Sequence, residues 1–221
     1  MPWLGLFAKI AMADMFVCFD AVQYEKRGWN NRNYIKTRNG PLLLTVPVRA
    51  KQHFDKKLHE IEIVPGNWER KHLRSIELAY RSAPFFEQHY EGVGAVLDLY
   101  SDGGMLMDLN MDLLRYFMRA LEIRVPIVKA SDYDFRGTKS ELVLDMCMKL
   151  KATKYIFGSE GEVYADKEGF RRQGIEPLFQ KYEHPEYKQL HHGFTTMLSV
   201  LDLLMNCGPD SRAILVGEKH G

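Results

Sequence analysis

The feature that most constrains this chain is a repeated change of period. Short apolar runs, compatible with buried strands, alternate with stretches of helical periodicity. "MFVCFD" (15–20), "VPIVKAS" (125–131), "KYIFGS" (154–159) and "IEPLFQKY" (175–182) read as strands. Between and around them, "LFAKIAMAD" (6–14), "KSELVLDMCMKLKA" (139–152), "EGFRRQG" (168–174) and "TTMLSVLDLLMNCG" (195–208) read as helices, the last closed by Gly208. Such alternation predicts an α/β chain with a mainly parallel sheet flanked by helices. "NYIKTRNGPLLLTVPV" (33–48) adds an inserted β-hairpin with Asn39-Gly40 as its turn, and "HEIEIV" (59–64) another strand.

Three helical stretches follow within 66–122, a helical insertion or subdomain. Asn67 is placed to cap the first, Pro84 separates it from the second, and Leu106, Leu109, Leu113, Phe117 and Leu121 form one face of the third. With 221 residues and 46% hydrophobic content, one sizeable core is affordable, so a single domain over 1–221 is expected. No apolar run approaches the ~20 residues that span a membrane. The start carries no basic segment ahead of its apolar stretch, which argues against a signal peptide and for a cytoplasmic location. Cys18, Cys147 and Cys207 are far apart in apolar contexts, which suits buried free thiols.

Charge is unevenly spread. Between Ala21 and Lys57, nine basic residues face only Glu25 and Asp55, a local +7 in a chain of net +1, which leaves −6 elsewhere. The densest part, "EKRGWNNRNYIKTRNG" (25–40), interleaves five basic residues with aromatic rings and asparagines. A patch of this kind suits a small anion as well as a polymer; the acidic remainder speaks against a long nucleic-acid track. Because it follows a strand end, Asp20, Gln23, Lys26, Trp29, Asn31, Arg32, Asn33 and Lys36 are candidate site residues. Arg32 can clamp a phosphate or carboxylate, Trp29 offers a flat face to a base or sugar, and the amides can orient hydroxyls. The plainer alternative is a polar entry to the hairpin whose asparagines make turns.

Two further stretches follow other strand ends. "GSEGEVYAD" (158–166) leaves backbone N–H groups and Ser159 open to an anion at the start of a helix, or is simply a strand-to-helix turn. "YEHPEYKQLHHGF" (182–194) places His184 before a proline, with Tyr187 and Gln189 close behind. His184 is a candidate general base, or a structural histidine. Adjacent His191 and His192 point in different directions and do not suit a metal. Asp202, among leucines, is costly to bury unless paired; it and Asn110 are candidate network anchors, or sit on polar helix faces. No GxSxG, phosphate-loop, GxGxxG or CxxC pattern is present, so covalent Ser or Cys catalysis gains no support, and no cofactor is specified.

Successive blocks, "PWLGLFAKIAMADMFVCFDAVQYEKRGWNNRNYIKTRNGPLLLTVPV", "YRSAPFFEQ", "DLNMDLLRYFMRALEI", "YIFGSEGEVYAD", "YEHPEYKQLHHGF" and "LSVLDLLMNCGP", resemble the WbqC-like protein family from Pro2 to about Pro209. The resemblance implies a place among genes that build O-antigen and other surface polysaccharides. Family members usually begin with a short strand and His-Gln-Pro-x-Tyr ahead of Pro-Trp-x-Gly. This chain opens at Met1-Pro2-Trp3, so a shortened start without that strand and histidine is expected. The block order also looks like the opening of nucleotidyltransferases of the HIGH type, a fold-level analogy.

The expected function is group transfer to a nucleotide-linked amino sugar, with His184 and Asp20 as the catalytic pair. A nucleic-acid module and a non-catalytic partner in a polysaccharide assembly complex are the alternatives. The expected partner is a nucleotide-linked sugar or another phosphorylated small molecule, not nucleic acid and not a membrane; a homodimer is compatible with it.

Overall fold

The computed structural model describes residues 1–49 and 56–217. Lys51 and Asp55 of the basic segment therefore lie outside the described residues. In chain order the elements are α1 (Leu4–Ala11), β1 (Phe16–Cys18), β2 (Arg32–Thr37), β3 (Gly40–Thr45), β4 (Glu62–Ile63), α2 (Trp68–Tyr80), α3 (Phe86–Asp98), β5 (Gly104–Met105) and α4 (Leu106–Ala120). They continue with β6 (Ile127–Lys129), α5 (Lys139–Lys149), β7 (Lys154–Phe157), α6 (Gly161–Tyr164), α7 (Lys167–Arg172), β8 (Glu176–Phe179), α8 (Val200–Cys207) and α9 (Ser211–Val216). Helices and strands are mixed as the alternation predicts.

The expectation of one mainly parallel sheet is met only in this coarse sense. The described strands form four two-stranded ladders, and only β1–β6 and β7–β8 are parallel. The chain divides into two compact units, and the parallel and antiparallel ladders fall in different ones. The first unit comprises Met1–Ala11, Asp20–Arg124 and His184–Gly221; the second comprises Met12–Phe19 and Val125–Glu183.

The first unit holds the antiparallel ladders β2–β3 and β4–β5. In the hairpin, Thr37 pairs with Gly40, so the turn residues are Arg38 and Asn39, one position earlier than expected. Gly40 opens β3 at φ 103°, a conformation that side chains resist, and this shifts the glycine from the turn into the strand. Helix α4 buries the expected stripe of Leu106, Leu109, Leu113, Phe117 and, just beyond its end, Leu121. Phe117 meets Phe7 of α1 edge-on at 6.0 Å. Helix α8 is buried all round from Val200 to Met205. It starts at Val200 and not at Thr195, because the Ser199 hydroxyl accepts from Leu201 N and caps it. Its end is closed by Gly208 at φ 49°. Asn67 stands at the start of α2 but its side chain makes no cap bond.

The second unit holds both parallel ladders, with Phe16 opposite Ile127 and Lys154 opposite Glu176 at their first pairs. Its core gathers Val143, Met146, Cys147, Phe157, Phe170 and Ile175. The Phe157 ring stacks on Phe179 at 5.2 Å and meets Phe170 edge-on at 5.4 Å. Burial pushes the Cys147 thiol up to about 12, so it stays a protonated hydrophobe.

Candidate functional site

Strand β2 organises the polar centre of the first unit. Its register with β3 is unbroken, so Arg32, Tyr34 and Lys36 share one face and Asn33, Ile35 and Thr37 the other. The Arg32 end is accessible and the Lys36 end is not, Lys36 being only 2% exposed. Four residue steps along the strand set the Arg32 and Lys36 Cα atoms ~13 Å apart. At the accessible end Trp29, 65% exposed, tilts against Tyr34 with ring centres 5.9 Å apart. Arg32 donates to the Lys26 carbonyl at 3.0 Å and fixes the loop that carries Trp29.

At the other end the polar groups converge on Asp202, which α8 holds fully out of solvent. Tyr80, the last residue of α2, donates its hydroxyl to Asp202 Oδ1 at 2.8 Å and accepts from the Lys36 backbone N–H at 3.0 Å. Tyr187 donates to Asp202 Oδ2 at 2.8 Å. The Lys36 ammonium donates to Gln189 Oε1 at 3.0 Å and to the Gly193 carbonyl. Burial raises the Asp202 pKa above the usual carboxylate range, against the pull of the two phenols and of the Lys36 charge. Burial and the adjacent carboxylate push Tyr187 far above its ordinary value, and Tyr80 likewise. Both phenols therefore stay protonated donors. Asp202, in turn, takes up a proton more readily than an ordinary aspartate.

Residues 184–198, which lack regular secondary structure, lie over this centre. Gln189 Nε2 donates to the Thr195 carbonyl and its Oε1 accepts from Thr195 N, both at 2.9 Å. Leu190 N donates to Asn206 Oδ1 at 3.1 Å, and Asn206 Nδ2 donates to the Asp202 carbonyl at 2.7 Å. His184 lies against Tyr187, ring centres 6.3 Å apart, and Phe194 meets both rings edge-on at 5.6 Å. His184 Nδ1 is 3.0 Å from the Pro185 carbonyl. His191 Nε2 is 3.1 Å from the Ala79 carbonyl, while His192 is exposed. No metal-binding group of three His, Cys, Asp or Glu occurs among the described residues.

The remaining sequence-derived candidates fall in other places. Asn31 and Asn33 are buried and serve the backbone, through Asn31 Nδ2 to the Val46 carbonyl at 2.8 Å and Asn33 Nδ2 to the Met1 carbonyl at 2.7 Å. They line a cavity of about 20 Å³ with His72, Leu109, Asn110 and Leu113, room for about one water. Burial lowers the His72 pKa to about 4. Asp20 is buried, and its carbonyl accepts from His59 N at 3.0 Å and lies 2.9 Å from His59 Nδ1. Gln23, exposed, bridges to Lys57, and Lys26 is exposed. Ser159 is exposed in the second unit, where its carbonyl accepts from Glu162 N at 3.4 Å.

The structure thus joins Lys36, Tyr187, Gln189 and His184 in one neighbourhood, and gathers Trp29 and Arg32 at the far end of the same strand. The sequence marked Asp202 only as a candidate anchor and gave no signal for Tyr80, whose partner lies 122 residues away. The one available signal was the cost of burying an aspartate among leucines. Asn110 is an anchor too, donating to the Asn30 carbonyl at 2.9 Å.

No helix among the described residues is long and apolar enough to cross a membrane. No solved structure matches the chain. The uncharacterized protein Rv1507c of Mycobacterium tuberculosis is 34% identical over 211 residues, covering 95% of this chain and 91% of its own length. The profile of the WbqC-like protein family matches residues 1–214, so the chain belongs to that family.

Proposed function

We propose that this WbqC-like protein binds a nucleotide-linked amino sugar in the cytoplasm and transfers a group to it during biosynthesis of O-antigen or another surface polysaccharide. The observation that carries this reading is the polarity of one strand face. An exposed Trp29 and a half-buried Arg32 stand at one end of β2, and Lys36 beside the Asp202 network at the other. The ~13 Å along the strand is of the order of an extended nucleotide-linked sugar. Trp29 stacks on the base, Lys26 and Arg32 grip the diphosphate, and Tyr187 and Gln189 orient sugar hydroxyls or the amine. Gln23 shapes the approach, while Asn31 and Asn33, bonded to the Val46 and Met1 carbonyls, hold the strand in place. His184, packed on Tyr187, handles the transferred proton, and Asp20 is the second candidate acid–base group.

Calorimetric titration with a panel of nucleotide-linked sugars tests it. Binding by the wild type, weakened at least tenfold in Arg32→Ala, is expected. Silence from both proteins across the panel would end the proposal.

One observation favours a second reading, a non-catalytic partner in a polysaccharide assembly complex. Lys36, Gln189, Tyr187 and Asp202 satisfy one another, as a purely structural rivet would. That reading expects a stable hetero-complex on affinity capture and no change in thermal stability with any nucleotide.

A further inference from the structure

Residues 187–198 are held to the rest of the first unit largely through side-chain hydrogen bonds, not by a strand ladder. Tyr187 bonds Asp202, Gln189 and Gly193 accept from Lys36, Leu190 N reaches Asn206, and His191 lies on the Ala79 carbonyl. Side-chain anchors can be released one at a time, unlike a ladder. The segment also carries three left-handed residues: His191 at φ 65°, Gly193 at φ 71° and Met197 at φ 61°. Two of these have side chains that disfavour that conformation, so the closed arrangement holds local strain that release would relieve. Met197 is exposed on the segment's outer surface, whereas Phe194 keeps its edge-on packing against His184 and Tyr187.

The group covered is a cation. Lys36 is 2% exposed, and the acceptors that the segment supplies to its ammonium are neutral, a side-chain amide and a backbone carbonyl. An oxyanion is a stronger partner for an ammonium than either. Displacing Gly193 and Gln189 from Lys36 would therefore exchange two neutral bonds for a charge-assisted one.

We infer that residues 187–198 form a strap that opens about His191 and Met197 to uncover Lys36 for an anionic group, phosphoryl or carboxylate, and closes over it. That anion is separate from the diphosphate assigned above to Lys26 and Arg32, which stand at the other end of β2, and neither it nor the opening rests on that assignment. Gln189 is a positioning residue in this device, tying the Thr195 arm of the strap to Lys36.

The test uses the full chain, native buffer and no nucleotide. Lysine acylation with a small N-hydroxysuccinimide acetate is followed at Lys36 by peptide mass spectrometry. Gln189→Ala, which removes one latch, is expected to raise the Lys36 labelling rate at least fivefold. Met197→Gly, which relieves the left-handed strain of the closed state, is expected to lower it. Wild-type labelling is expected to be insensitive to low urea. If Lys36 reacts in all three proteins only at the rate of global unfolding, with the urea dependence of global unfolding, the strap is overturned. Should Gln189→Ala fail to fold, the Met197→Gly comparison and the urea dependence still decide. Failure of nucleotide-sugar binding leaves these rates untouched, so the two proposals fail separately.

Discussion

Replacing Tyr80 by Phe removes a single oxygen from the centre of the network and leaves the ring packing in place. That oxygen serves two buried partners. It donates to Asp202, which is fully buried, and accepts from the backbone N–H of Lys36, which is 2% exposed. Water has no ready access to either. An unsatisfied buried group costs about 1–3 kcal/mol, and a bond to a charged group is worth ~1.5–3 kcal/mol. The combined loss is therefore about 3–5 kcal/mol, a large share of the ~5–15 kcal/mol that holds a domain folded. With a slope near ~2 kcal/mol per molar urea, the unfolding midpoint should fall by about 2 M. Tyr187→Phe is the internal comparison. It gives up one bond to the same carboxylate from a half-buried ring that water can approach, so about 1–2 kcal/mol is expected. Urea unfolding followed by tryptophan fluorescence and far-ultraviolet circular dichroism measures both. A Tyr80→Phe loss below ~1 kcal/mol, or a larger loss for Tyr187→Phe, would refute the view of Asp202 as the hub of this centre.

Four further outcomes are expected. Burial holds the His72 pKa down to about 4, so the folded state binds fewer protons than the unfolded chain. Stability is then complete above about pH 6.5 and is lost as the pH falls toward 4, and His72→Gln flattens that slope in acid unfolding curves. Asp202 has the opposite sign: its folded pKa is raised, so its contribution is present below the unfolded value near ~3.9 and declines as the pH rises through the folded one. Asp202→Asn should remove that decline in pH-dependent urea titrations. A Cβ at Gly92 would sit 2.3 Å from the Tyr116 ring, so Gly92→Ala should force the ring aside and cost about 1–3 kcal/mol in urea unfolding. Phe117→Ala, at a fully buried position against Phe7, should cost about 3–5 kcal/mol by the same assay.

Local pattern made some of this molecule legible. The α4 stripe from Leu106 to Leu121 follows from a period that packing later uses unchanged, and the hairpin follows from alternation around a turn signal. The turn itself slipped by one residue, because Gly40 is needed at the first strand position and not inside the loop. The strands of the parallel ladders were read from their apolar runs, but period says nothing about neighbours. That Phe16 would pair with Ile127, more than a hundred residues away, is a tertiary outcome. The candidate site divides the same way. Alternation places Lys36 on a face with Arg32, yet it cannot tell that Gln189 and Gly193 cover one and not the other. The cost of burying Asp202 was visible in its leucine-rich setting, whereas Tyr80 looked like one more aromatic at the end of a helix.

The most direct test of the central claim is a hydrogen-exchange protection map of the full chain with and without a nucleotide-linked amino sugar. The account predicts slowed exchange in two stretches together, residues 23–36 and residues 187–198, with little change elsewhere. Protection confined to residues 158–166, or none anywhere at saturating ligand, would contradict it.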